Sequence, residues 1–175
     1  MTIQEAQNRI RNVAERLKAE APMIALRQAQ TALTLIKDKS IREGIRVNGA
    51  FADYSTKPVY KSSFKSKALN SGGSAYASSG GKGNWGEFRS AQGRTSDNVN
   101  LFYSGRMWTA FRILSQTEIA GRYSVLVGAT DNEAQILMLS HMKRYGNFLT
   151  LSPTHKTILE GDATYEVSLI LKGLP

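Results

Sequence analysis

Apolar residues at Ile3, Ala6, Ile10, Val13 and Leu17 fall at alternating intervals of three and four. That spacing stacks them in one stripe along a helix. The pattern predicts a helix over 2–20, with Thr2 as N-cap and Glu5 as its capping-box partner. Pro22 interrupts it, because its ring disfavours a helical Ala21 and it brings no backbone donor. The stripe resumes at Leu26, Ala29, Leu33 and Ile36, and Gly44 is the expected stop. A helix kinked near Pro22 and two consecutive helices both satisfy this pattern. A stripe this regular suits packing within the chain, and it also suits packing on a neighbouring subunit.

Periodicity then disappears. Residues 70–86 hold six Gly and four Ser in 17 positions, too few apolar groups to order themselves alone. The whole stretch 56–100 is abnormally long for a loop inside a compact domain. Tyr60, Phe64, Tyr76, Trp85 and Phe88 are threaded through it, among Lys57, Lys61, Lys65, Lys67 and Lys82. Aromatic rings beside cations can stack on bases and neutralise phosphates. They can also anchor an extended arm in a neighbour's grooves. The expectation is a basic, glycine-rich extended arm, mobile in the free protomer, whose aromatics form no core of their own. As a random coil of this length it would span roughly 35–40 Å. Its expected partner is an acidic protein surface in preference to DNA.

Regular patterning returns after residue 100. Ser104 is placed to cap a short helical turn. Alternation at Tyr123, Val125 and Val127, with Ala120-Gly121 as a turn, predicts two strands over about 109–118 and 122–128. Thr130 to Glu133 reads as a capping box with Thr130 at the N-cap. The helix it opens ends in Lys143, Arg144 and Gly146. Ser152-Pro153 opens another helix, with serine capping and proline in the first turn. Its far part, 163–172, alternates like a strand but suits a continued helix better. The expected fold is therefore α+β, a single domain over 1–175. It has a long N-terminal helix, a small antiparallel sheet packed with two C-terminal helices, and the arm as an insertion.

Charge sharpens the reading of the arm. The chain carries 23 Lys and Arg against 14 Asp and Glu, a net charge of +9. Residues 53–95 contribute seven cations against two carboxylates, residues 1–46 nine against five, and residues after 95 balance at seven each. A basic upstream half on a neutral body points to an anionic partner, nucleic acid or an acidic protein surface. The chain has no cysteine, which removes disulfides and thiolate metal sites. The N-terminus lacks the apolar core of a secretory signal, so synthesis in the cytoplasm is expected. No apolar run approaches a membrane span, so no membrane partner is expected.

Catalytic patterns are not met. Before Lys82, Tyr76 stands where a phosphate-binding loop needs glycine, and Gly83 stands where it needs Ser or Thr. The two histidines, His141 and His155, sit on different predicted helices with no ligand spacing around them. No serine occupies G-x-S-x-G. The expectation is a non-enzyme with no catalytic, cofactor-binding or metal-binding residues and no cofactor.

Three fragments stand in a notable order: "SGRM" at 104–107, "HMKRYG" at 141–146 and "FLTLS" at 148–152. This order resembles the virion morphogenesis, or tail-completion, proteins of tailed bacteriophages. Ser104, Gly105 and Met107 match the family's S/T-G-x-L, with methionine in place of leucine. His141 and Gly146 match its helix-ending His and Gly, at a longer interval. Phe148, Leu149, Leu151 and Ser152 match its F-L-x-L-S. The resemblance covers about 101–160 and the N-terminal helix, and leaves 56–100 unexplained. It implies a structural protein of the virion neck or tail that assembles as a six-fold or twelve-fold ring. The implied partners are other neck and tail proteins, with DNA in the channel. Interface candidates on this reading are Ile3, Ile10, Val13 and Leu17 on the helix. On the arm they are Tyr60, Phe64, Tyr76, Trp85 and Phe88 with Lys57, Lys61 and Lys65. Phe148 and Leu149 are expected in the core. The alternative is a basic nucleic-acid-binding protein using the Lys/aromatic arm.

Overall fold

The computed structural model describes residues 2–46, 49–51, 53–94, 99, 101 and 105–172. The fold is α+β. Helix α1 runs unbroken from Ile3 to Asp38, through Pro22, a length of about 54 Å. Both halves of the capping box form. The Thr2 hydroxyl accepts from the Glu5 amide at 3.2 Å, and the Thr2 amide donates to the Glu5 carboxylate at 2.7 Å. The Pro22 carbonyl accepts from the Gln116 side chain at 2.8 Å, which ties the middle of α1 to a strand. A π-helical turn, Lys39–Glu43, ends at Gly44 in the left-handed region.

Strands β1 (Ile45–Arg46) and β2 (Gly49–Ala50) pair as a minimal hairpin. A short helix α4 (Arg106–Ala110) then leads into β5 (Phe111–Ile119), which pairs antiparallel with β6 (Arg122–Ala129). Ala120 and Gly121 both take positive φ, as the tight hairpin turn between right-twisted strands requires. Ser104 lies outside the described residues, and Gly105, left-handed, occupies the N-cap of α4. Helix α5 (Asn132–Tyr145) begins one residue later than the expected box, with Asp131 as N-cap accepting from the Ala134 amide at 2.8 Å. Glu133 is thereby released from a capping role and pairs with Arg106 at 2.7 Å. Helix α6 (Pro153–Lys172) is continuous, so 163–172 is helical. It runs antiparallel along α1: Arg27 pairs with Glu166 at 2.6 Å, while Leu169 and Ile170 lie beside Arg16 and Ala19.

The main core gathers Ile36 of α1, Phe51, Met107, Trp108, Phe111, Met138 of α5 and Phe148. Phe148 is fully buried and meets Trp108 and Phe51 edge to face, at 5.7 and 6.3 Å between ring centres. Leu149 and Leu151 pack partly buried against the same cluster. The corner that delivers them is held locally. Gly146 closes α5 through its amide on the Met142 carbonyl, Asn147 accepts from the Leu149 amide, and Ser152 accepts from the His155 amide.

The segment expected to be an extended arm is folded. Strand β3 (Val59–Tyr60) pairs with β4 (Lys82–Gly83), and between and after them come a 3-10 helix (Lys61–Lys67), α2 (Ser71–Ser78) and α3 (Trp85–Ala91). Phe64, Ala77 and Phe88 form a second core, with Tyr76, Trp85 and Ala68 packed around it. The expectation that these aromatics form no core is corrected. The glycines explain why: they permit close packing. A Cβ on Gly72 would fall 2.1 Å from the Ala91 carbonyl oxygen, and one on Gly83 would fall 1.9 Å from the Tyr76 hydroxyl. The polar residues are caps. Asn70 opens α2 and Asn84 opens α3, each accepting a backbone amide of its helix. The Tyr76 hydroxyl donates to Glu87 at 2.7 Å, and burial together with that bond pushes its pKa up to about 12.

Candidate functional site

Two features outside the cores stand out. The first is the outer stripe of α1. Ile3 is 81% exposed and Ile10 70%. Val13 and Leu17 are half-buried, near where α6 lies alongside. The four interface candidates of the stripe therefore divide, two bare and two partly covered. Further along the helix, Ala29 and Ile36 are buried in the body of the protein.

Other apolar side chains are bare on the opposite elements. The β5–β6 hairpin exposes Ile119 beside its turn and Leu126 at mid-strand, opposite Ser115, and the outer face of α5 exposes Ile136 and Leu139, three residues apart. Sequence reasoning missed both surfaces. In α5 the exposed pair interleaves with buried Ala134 and Met138, so apolarity alone does not tell its inner face from its outer one.

The second feature is a cleft of about 470 Å³ between the main body and the 59–91 unit. Its walls carry Tyr54, Trp85 and Tyr145. Among the described residues its cations are Lys57, Lys67, Arg89 and Arg144, against the single carboxylate of Asp53. Arg89 is almost wholly buried and lies over the Tyr54 ring at 5.0 Å. Lys67 sits over Trp85 at 5.5 Å. His141 also lines the cleft, its ring 5.8 Å from that of Tyr145. Burial, and secondarily the charge of Arg144, hold its imidazole below the usual pKa. His141 therefore presents one donor and one acceptor at neutral pH.

The arm's interface candidates are redistributed by this geometry. Phe64 and Phe88 are core, with Phe64 at the floor of the cleft. Tyr76 is held by Glu87 and by Lys61, whose ammonium lies 4.7 Å from its ring centre. Tyr60 is exposed with Lys82 over it at 5.2 Å, and Lys65 is exposed. Only Trp85 and Lys57 of the arm candidates join the cleft wall along with Phe64. Much of the interleaving of aromatics and lysines is thus satisfied within the unit as cation–π pairs.

Of the residues that carry the resemblance and are described, His141 lines the cleft and the others are structural. Gly105 caps α4, and Met107 is buried in the main core. Gly146, Phe148 and Ser152 build the corner between α5 and α6. No helix among the described residues is long and apolar enough to cross a membrane. Comparison with protein-family models, with curated proteins and with solved structures gives no match.

Proposed function

We propose that the protein is a structural, non-enzymatic subunit that assembles through α1 into a ring at the neck or tail end of a tailed-phage virion. The observation that carries this reading is the bare stripe at the start of α1, where Ile3 and Ile10 stand largely in solvent. A chain that buries Phe148, Trp108 and Phe111 so completely gains nothing by leaving an ordered apolar stripe in water, unless something covers it.

A ring is built from heterologous contacts, which need two different patches on each protomer. The α1 stripe is one. The β5–β6 hairpin with Ile119 and Leu126, and the α5 face with Ile136 and Leu139, supply candidates for the other. The placement in a virion rests on the ordered resemblance of residues 104–107, 141–146 and 148–152 to the tail-completion proteins. On this reading, six or twelve protomers close the ring, neighbouring neck and tail proteins stack on it, and the net positive charge suits DNA passing through its channel. Negative-stain microscopy of the purified protein tests the reading. Annular particles of uniform rotational symmetry are expected; a field of single protomers at every concentration would overturn it.

A further inference from the structure

We infer that the cleft between the main body and the 59–91 unit binds one nucleotide of a single-stranded nucleic acid, its base against the aromatic wall and its phosphate on the cationic rim. The volume suits this ligand. About 470 Å³ lies within the roughly 300–1,000 Å³ of small-ligand sites. The lining suits it as well. Trp85 and Tyr145 offer aromatic surface, and stacking on such rings serves any base. Lys57, Lys67 and Arg144 reach the same cleft from three different segments and can meet a phosphate whichever way it enters.

The polar groups discriminate between anionic partners. An acidic peptide brings carboxylates for the four cations but no side-chain donor for Asp53. A base brings amino groups, which a carboxylate accepts. His141, held neutral, adds a donor and an acceptor suited to a base edge. The folding of the 59–91 unit also removes the reason to expect aromatic anchoring in a protein groove. Phe64 and Phe88 are consumed in their own core and are not free to anchor in a neighbour. Ring formation and this cleft are independent: a monomer would present the same site.

The test uses the full chain and a fluorescently labelled oligodeoxycytidylate, followed by anisotropy across a salt series. Saturable binding that weakens with salt is expected, together with quenching of tryptophan emission as the base meets Trp85. Lys57→Ala and Arg144→Ala alter side chains exposed on the rim. Each is expected to flatten the log–log salt dependence by about 0.7. Lys18→Ala removes the same charge from the exposed side of α1, outside the cleft, and is expected to leave both affinity and slope near wild type. Trp85→Ala is expected to weaken binding about 5- to 150-fold. Absence of binding, equal losses from Lys18→Ala and Lys57→Ala, or displacement of the oligonucleotide by polyglutamate at matched charge would overturn the inference. The last outcome would assign the cleft to an acidic polypeptide.

Discussion

The rings of Phe64 and Phe88 lie stacked, their centres 4.6 Å apart and their planes 15° from parallel. Twenty-four positions separate them in sequence, across the glycine- and serine-rich stretch. The contact makes 59–91 a folded unit in the isolated chain. Hydrogen exchange is expected to show protected amides in α2 and α3 of the free protein. Phe88→Ala, which empties a fully buried site, should abolish that protection while the amides of α5 keep theirs. Free exchange throughout 59–91 in the wild type would mean that the stack does not hold.

This unit is also where sequence reasoning failed, for a physical reason. Composition treats Gly and Ser as disorder-promoting, because they are costly to fix and bury little. At Gly72, Gly73 and Gly83 the missing side chain is what lets the backbone approach Ala91, Gln92 and Tyr76. Nothing in a single sequence separates a packing glycine from a flexible one. The long elements were legible because their signals are local. The Thr2–Glu5 box, the Gly44 stop and the Ala120-Gly121 turn each act within a few residues. The Asp131 cap was misplaced by one residue because Thr130 and Asp131 are both good caps, and backbone geometry chooses between them. Of the cleft, Lys57, Lys67, Trp85 and Phe64 stood out in the sequence as parts of one basic, aromatic segment, and His141 and Arg144 stood out only as a motif residue and a helix end. Tyr54, His141 and Arg144 reach it only through the tertiary fold.

Phe148 carries the corner between α5 and α6. It is fully buried between the rings of Trp108 and Phe51. Phe148→Ala is expected to cost about 3–5 kcal/mol, read as a lowered denaturation midpoint. An unchanged midpoint would remove Phe148 from the core.

Lys39 ties the end of α1 to that corner, its ammonium donating to the Thr150 carbonyl at 2.6 Å. The side chain is almost wholly buried, and burial lowers its pKa, opposed by the charge of Glu43. Lys39→Ala removes a charged hydrogen bond and its packing, and is expected to destabilise by about 2–3 kcal/mol. Lys39→Met restores the stem's packing and should recover part of that loss. Equal stability of wild type and Lys39→Ala in urea would contradict this.

His141 predicts a pH dependence. Its folded-state pKa lies below the ordinary value of 6.5, first through burial and then through Arg144. The unfolded chain therefore binds more protons in the window below 6.5, and stability rises with pH across it. The contribution is complete above the unfolded pKa and is lost as the pH falls toward the folded one. Arg144, Lys57, Lys67 and Arg89 line the same cleft, with Asp53 as the one carboxylate among the described residues. His141→Gln is expected to flatten the acid side of the stability profile, measured as denaturation midpoints between pH 5 and 7. An identical slope in the variant would assign the dependence to other groups.

Self-assembly of the protein is expected to run through the bare stripe of α1. Ile3→Asp and Ile10→Asp place charges at two exposed positions, where they leave both cores untouched. The most direct test is sedimentation equilibrium of the wild type and of this double variant over the same concentration range. The wild type is expected at a whole multiple of 19.3 kDa greater than one, and the variant as a folded monomer. A monomeric wild type at the highest concentration, or an oligomer that the double variant leaves intact, would contradict it.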